Sequence, residues 1–585
     1  MKFPLAPRVE KVGRAAGAIY FVAPMTPSAI RPPRLPLRRF LKMADSLHRL
    51  HFISHVTKRT AIRAFFSLLA LCALANASLA AEAELLGSAQ FTPIPTRPIG
   101  WRGDGTGRYP GATPPLNWER KRDGTNYTTQ NILWLAPLPN TGVSMPIIVG
   151  DRVFVTAETC DLVCLDKHSG KLAWIRSSFE FEGLSEDERK AIPSVATTLV
   201  PLAEQIAKAN NELVAVLNER VGPGTADAFT PAVKKALEQK RALEKKLHAE
   251  QLAIDKKGYE RYWGQAVFGF AGPTPISDGR RVCVFFTTGV SAAFDFEGRR
   301  QWIARGKGGG SEHGNFASPL LWENQFVVWA NELRSYDAET GKLRWTAPAK
   351  GYNTYGSMFR LRSGDDWVAA FQWGFFVRFR DGKPVWEQGV FGDSVQTPIV
   401  EGDTIFARVG YPKYNEEAKG FRAFKIPAST ESGKFTAAYS FKQEWGADEL
   451  VVDKKKNPFD RGFVSSPLFV DGLIYQLTQA GGLLVNDAAT GELVYRKVLT
   501  LAPRTQYWNW AGTSMSPALA GKHIYLMDNQ GHTIVLQPGR EYQEIARNTL
   551  EEFTGKELVQ SVSTPIFEGA RMYFRTPGYL YCIGK

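Results

Sequence analysis

Runs of four to seven β-branched and aromatic residues alternate with Gly and Asp turns over most of this 585-residue chain. That pattern predicts short antiparallel strands. The runs recur in units, most of which open on a short apolar Pro motif. The motifs are Met145-Pro146-Ile147, Thr274-Pro275-Ile276, Ser318-Pro319-Leu320, Thr397-Pro398-Ile399, Ser466-Pro467-Leu468, Ser516-Pro517-Ala518 and Thr564-Pro565-Ile566. Several units close on Asp, a Gly-Lys turn and a Trp, as from Asp166 to Trp174, Asp337 to Trp345 and Asp381 to Trp386. A degenerate start at Gly356-Ser357-Met358 supplies the copy missing between Pro319 and Pro398, and a loop insertion near 410–460 stretches another unit. The tally is eight units of four strands each. A strand repeat of this length predicts a stacked or closed array rather than one conventional core.

The period breaks between Pro146 and Pro275, where about 80 residues are inserted. Ser185 to Glu188 matches a helix capping box. Ile206, Leu213 and Leu217, then Val233, Leu237, Leu243, Leu247 and Ile254, recur at helical spacing on either side of Gly222-Pro223-Gly224. Residues 183–259 are therefore expected to form a helical hairpin within the first unit, as a solvated decoration or as a docking arm. Residues 84–130 are rich in Pro and Gly and read as a linker. Asn131-Ile132-Leu133-Trp134 reads as one strand ending in Trp.

The formal charge of +14 suggests a polyanion partner, but its distribution argues otherwise. The first 63 residues hold thirteen Lys or Arg against two acids, a net +11, so the remainder carries only +3. Nucleic acid is not an expected partner. Residues 1–83 read as an N-terminal extension with a secretory signal. Lys58, Arg59 and Arg63 precede the apolar run Ala64 to Ala75, and Ser78-Leu79-Ala80 supplies small residues for cleavage. An uncleaved anchor is the alternative, and Met43 is an alternative start. The expected location is periplasmic or extracellular. Cys160, Cys164, Cys283 and Cys582 show no zinc spacing. Cys164 and Cys582 occupy the same place in their units and are expected to be buried fillers; a Cys160–Cys164 bridge stays open.

The closing segments Leu162 to Trp174, Leu333 to Trp345 and Asn486 to Tyr495 resemble the repeat of pyrroloquinoline-quinone-dependent dehydrogenases and their cofactor-free relatives. The resemblance covers about residues 100–585. It implies an all-β fold: an eight-bladed β-propeller of four-stranded antiparallel blades, with the helical hairpin inserted. Residues 131–585 would form the ring, and Asn131–Trp134 would supply the last blade's missing strand, an N-to-C closure that hides the sheet edges. Trp134, Trp174, Trp302, Trp345, Trp386 and Tyr495 would close the blades, since a large aromatic fills the wedge between neighbours.

In the family's enzymes a vicinal disulfide lies against the quinone, and Glu, Asn and Asp hold Ca²⁺. No two Cys are adjacent here, and no Cys-x-x-Cys-His motif is present. The pattern is more similar to the non-catalytic members, such as the propeller subunit of the outer-membrane β-barrel assembly machinery. No catalytic residue, metal site or cofactor is expected. The expected role is an exported binding or scaffold propeller whose partner is an envelope protein or other envelope component. A monomer is expected, and peripheral membrane association stays open. The alternative is an oxidoreductase using pyrroloquinoline quinone, with Ca²⁺, or another quinone through degenerate ligands. Binding residues are expected in the loops that lead into each first strand: Glu312, His313 and Asn315; Tyr352, Asn353 and Tyr355; Arg461; and Trp508, Asn509 and Trp510. An acid beside His, or an aromatic cluster that can stack on a ring, is the chemistry a ligand would need there.

Overall fold

A computed structural model describes residues 85–585 except 125, 226–228, 262–268, 307, 309–316, 330–331, 349–355, 372, 393–395, 410–419, 441–464, 479–480, 500, 502–514, 529–530 and 551–562. The described residues are mostly β, with few helices, and their strands form eight sheets, six of them four-stranded. In the first sheet, Ile147–Val149, Arg152–Ala157, Asp161–Asp166 and Leu172–Ser177 pair antiparallel in chain order. The sheets of 276–305, 320–348, 399–440 and 468–498 repeat that meander. Middle strands such as Val282–Phe286 are buried at every position, which explains continuous apolar runs where a half-exposed strand would alternate.

Two sheets depart from the expected four strands. The sheet of Phe359–Ser363, Asp366–Phe371 and Phe375–Arg378 has three. Its fourth segment adds one bridge, Val377 to Pro384. Pro384 has no N–H to give the ladder, and Trp386 turns to a φ of 59°. The sheet of 518–550 has seven strands. Arg108–Tyr109 adds to one edge, and the hairpin of Glu119–Asp123 and Asn126–Gln130 adds to the other. The segment read as a linker is thus structured, with Tyr109 and Trp118 only 1% and 2% exposed. In the last sheet, Tyr579–Gly584 pairs antiparallel with Ile132–Pro137, Cys582 opposite Trp134.

The closing turns have one construction. Asp166 Oδ1 accepts from the backbone N–H of His168 and Ser169, at 3.1 and 2.8 Å, and Asp337 and Asp487 do the same in their turns. A β-bulge follows each residue that faces a closing aromatic, at Cys164, Ala293, Ser335, Val485 and Cys582. Most of these facing residues are small. Cys164 and Cys582 are such fillers, fully buried, and all four described cysteines are free thiols.

Each closing Trp reaches the next sheet. Trp134, Trp174, Trp302, Trp345 and Trp386 donate Nε1–H to the carbonyls of Lys167, Phe296, Ala338, Phe379 and Ser429, at 2.8–3.2 Å. The Gly of the next turn makes this possible. A Cβ on Gly170, Gly298, Gly341 or Gly382 would stand 2.5–2.8 Å from the indole of Trp134, Trp174, Trp302 or Trp345, and all four glycines have positive φ. Tyr495 meets Tyr542 edge-on instead, its ring centroid 6.5 Å away.

The Ser or Thr of the Pro motif has its own task. The backbone N–H of Met145 donates to Thr274 Oγ1, that of Thr274 to Ser318, Ser318 to Ser357, Ser357 to Thr397, Thr397 to Ser466, Ser466 to Ser516, and Ser516 to Thr564 Oγ1, all at 2.8–3.3 Å and all buried. Ser563 Oγ then donates to Ser144 O at 3.3 Å. Each hydroxyl satisfies a backbone donor of the preceding unit that would otherwise be buried without a partner.

The insertion contains helices α1 (Glu186–Ala191), α2 (Val200–Asn218) and α3 (Pro231–Ile254), and Ser185 and Glu188 form the capping box. One face of it packs against the first sheet. Leu202, Ile206, Leu213 and Leu217 of α2 are buried. Asn218 bonds both backbone groups of Leu172 in the first sheet's outer strand, at 2.7 and 2.9 Å. Lys240 of α3 reaches Asp161 at 2.8 Å, where both side chains are at most 2% exposed. The helices thereby cover an edge that would otherwise be open to pairing.

Candidate functional site

The loops expected to bind a ligand contain Glu312, His313, Asn315, Tyr352, Asn353, Tyr355, Arg461, Trp508, Asn509 and Trp510, and all of them lie outside the described residues. The described residues build a site of their own. It is formed by the N-terminal arm, residues 95–108, against the first strands of several sheets. The arm is tied to those sheets by its backbone. Ile99 bridges to Ser277, Glu323 N–H donates to Pro95 O at 2.9 Å, and Leu519 N–H donates to Gly107 O at 2.9 Å.

Arg102 is the arm's anchor. It is 2% exposed, with a φ of 52°. Its Nη1 and Nη2 donate to the carbonyls of Pro467 and Pro517 at 3.0 and 2.7 Å, so one side chain joins two Pro motifs. Gly107 is required beside it, because a Cβ there would lie 2.4 Å from Nη2. Burial pulls the Arg102 guanidinium down to about 10, against the fields of Tyr109 and Asp104.

Between the arm and the first strands lies a cavity of about 350 Å³. Trp101, Met358, Phe359, Trp367 and Phe469 give it apolar walls. Its charged lining is Arg102, Arg108, Arg360 and Arg362 against Asp104 and Glu401. Arg108 and Glu401 pair at 3.0 Å. The Arg360 guanidinium stacks on Trp322 at 4.0 Å, with Trp367 at 5.8 Å. Burial lowers the Arg360 pKa, and the Asp104 carboxylate opposes that.

Sequence reasoning placed Trp101 to Gly105 in a linker and did not single out Arg102 or Arg360. The usable signal was Trp-Arg-Gly-Asp-Gly itself, since such closely spaced glycines mark tight backbone approach. Arg360 carries no local signal, because its partners come from strands on either side in sequence.

The repeat family described as outer membrane protein assembly factor BamB matches residues 220–370 and 456–584. This is a PQQ-like β-propeller protein. Among solved structures, BamB from Moraxella catarrhalis is 14% identical, covers 52% of this chain and 80% of its own, and superposes with a TM-score of 0.36. The quinohemoprotein alcohol dehydrogenase from Comamonas testosteroni is 14% identical, covers 78% of this chain and 76% of its own, and gives 0.42. No curated protein sequence matches the chain.

The cysteines of this PQQ-like propeller do not fit a quinoprotein's vicinal disulfide. Cys164, Cys283 and Cys582 face inward from three different sheets, and Cys160 contacts Thr288 at 3.5 Å. Burial raises all four thiols above the ordinary range, which suits packing rather than redox work.

Proposed function

We propose that this PQQ-like propeller is an exported, non-enzymatic binding protein of the cell envelope, located in the periplasm or outside the cell. The observation that carries this reading is the match to the repeat family described as an outer membrane assembly factor. The proposed form is an eight-bladed ring closed by Ile132–Pro137 on the last sheet. Two features support closure: the hydroxyl-to-backbone chain that runs from Met145 to Thr564, with Ser563 bonded to Ser144, and the Lys167–Glu568 ion pair at 3.0 Å between the first and last sheets. Deleting residues 84–135 should expose the edge of Tyr579–Gly584 and lower the melting temperature, with aggregation on heating. Unchanged stability would refute closure.

The functional test has two arms. The purified protein is incubated with pyrroloquinoline quinone and Ca²⁺ and assayed for dye-linked oxidation of alcohols and sugars. Separately, cross-linking in native envelopes identifies its neighbours. No turnover together with a specific envelope partner is the expected result. Tight quinone binding with turnover would overturn the reading in favour of an oxidoreductase.

A further inference from the structure

The cavity under the N-terminal arm has an unbalanced charge. Of its four arginines, Arg108 is neutralised by Glu401, and Arg362 lies at the exposed rim, 3.8 Å from Asp365. Arg102 and Arg360 remain. Arg102 gives its terminal nitrogens to two neutral carbonyls, and its Nε is buried with no hydrogen-bond partner. Among the described residues, Arg360 makes no hydrogen bond or ion pair, only its stacking contacts with Trp322 and Trp367. Asp104 is the remaining acid. It is exposed, and its Oδ1 is taken by Thr106 N and Oγ1 at 3.0 and 2.6 Å. Two guanidinium charges thus face a volume that one solvent-facing carboxylate only partly offsets.

A guanidinium held over an aromatic face keeps N–H donors available, and these suit a carboxylate. The apolar walls supply room for the body that carries it. A cavity near 350 Å³ lies at the small end of small-molecule sites. We propose that this cavity binds a small organic carboxylate with an apolar or aromatic body, its carboxylate on Arg360 and its body against Trp367 and Phe359. The inference rests on the arm and the first strands, not on the envelope-partner reading, so either can fail alone.

Calorimetric titration of the full folded chain with phenylacetate, hexanoate and uncharged phenylacetamide tests it. Saturable binding of at least one acid, and none of the amide, is expected. Arg360→Gln should weaken binding by about tenfold or more, roughly the worth of one charge-assisted hydrogen bond. Asp104→Asn removes the competing carboxylate and should strengthen binding several-fold, an effect that misfolding would not produce. Failure of both acids to bind, equal binding of the amide, or no gain in Asp104→Asn would overturn the proposal. So would unchanged affinity in a folded Arg360→Gln protein.

Discussion

The seam between the sheets of 276–305 and 320–348 and the seam after the sheet of 359–378 use the same bond in different settings. Trp302 and Trp386 each donate Nε1–H to a carbonyl of the following sheet at 2.8 Å. Trp302 lies on Gly341, is 8% exposed, stacks on Tyr336 and meets Phe326 at a tilt. Among the described residues, Trp386 has no glycine seat. It is half-buried, meets Phe435 edge-on at 5.0 Å, and touches the following sheet's loop at the Ser429 carbonyl. Ions supply what packing does not. Arg378 pairs with Asp381 of its own turn at 2.6 Å and with Glu431 of the next sheet, and Arg380 pairs with Asp366 at 2.6 Å. A repeat can keep its directional contact while exchanging apolar seating for charge.

The largest expected difference comes from removing the indoles. Trp302→Ala should cost about 3–5 kcal/mol, the usual range for truncating a buried aromatic. Trp174→Ala, over Gly298, should behave alike. Trp386→Ala should cost less, because its ring already meets solvent. Urea midpoints and melting temperatures measure this. Equal losses at Trp302 and Trp386 would erase the distinction between the seams.

The glycine seat gives the next effect. At Gly341 φ is 71° and an added Cβ would lie 2.7 Å from the indole of Trp302. Gly341→Ala should therefore cost about 2 kcal/mol, part of it left-handed backbone strain. In the double variant with Trp302→Ala the Cβ has room. The two losses should then sum to less than their parts by about 1 kcal/mol or more. Strict additivity would mean that Gly341 serves the turn alone.

The sequence shows these devices unequally. Asp, Gly and Trp at a fixed spacing gave the turn and the closing ring directly, because cap, turn and bulge are local. The Ser and Thr of the Pro motifs were legible only as period markers. Their hydroxyls act on a unit 39–129 residues away, and no local pattern names that partner. The arm was misread for a physical reason. Pro and Gly mark a flexible linker and a tightly packed segment alike, and only the long-range bonds of Arg102 decide between them. The loops with Glu312, His313, Trp508 and their neighbours lie outside the described residues, so the sequence reading of a binding face there stands as an expectation.

The smallest effect should appear only at the charged seam. Arg378 holds the Asp381 and Glu431 carboxyls below their ordinary values, chiefly through side-chain hydrogen bonds. A carboxyl whose folded value is depressed stabilises the fold above its unfolded value, and that contribution is lost as pH falls through the folded value. The seam after the sheet of 359–378 should therefore loosen below about pH 4, where free Asp and Glu begin to protonate. Arg378→Met should lower the melting temperature modestly at pH 7 and flatten its fall in acid. Half-molar salt should shrink the gap between variant and wild type, since the partners are exposed and screened. In a Trp302→Ala background the same salt and acid series should add no further dependence, because Gly341 presents no charge to the indole. A Trp302 seam that proved as salt-sensitive as the Arg378 seam would show that ions and packing are not exchanged between the two.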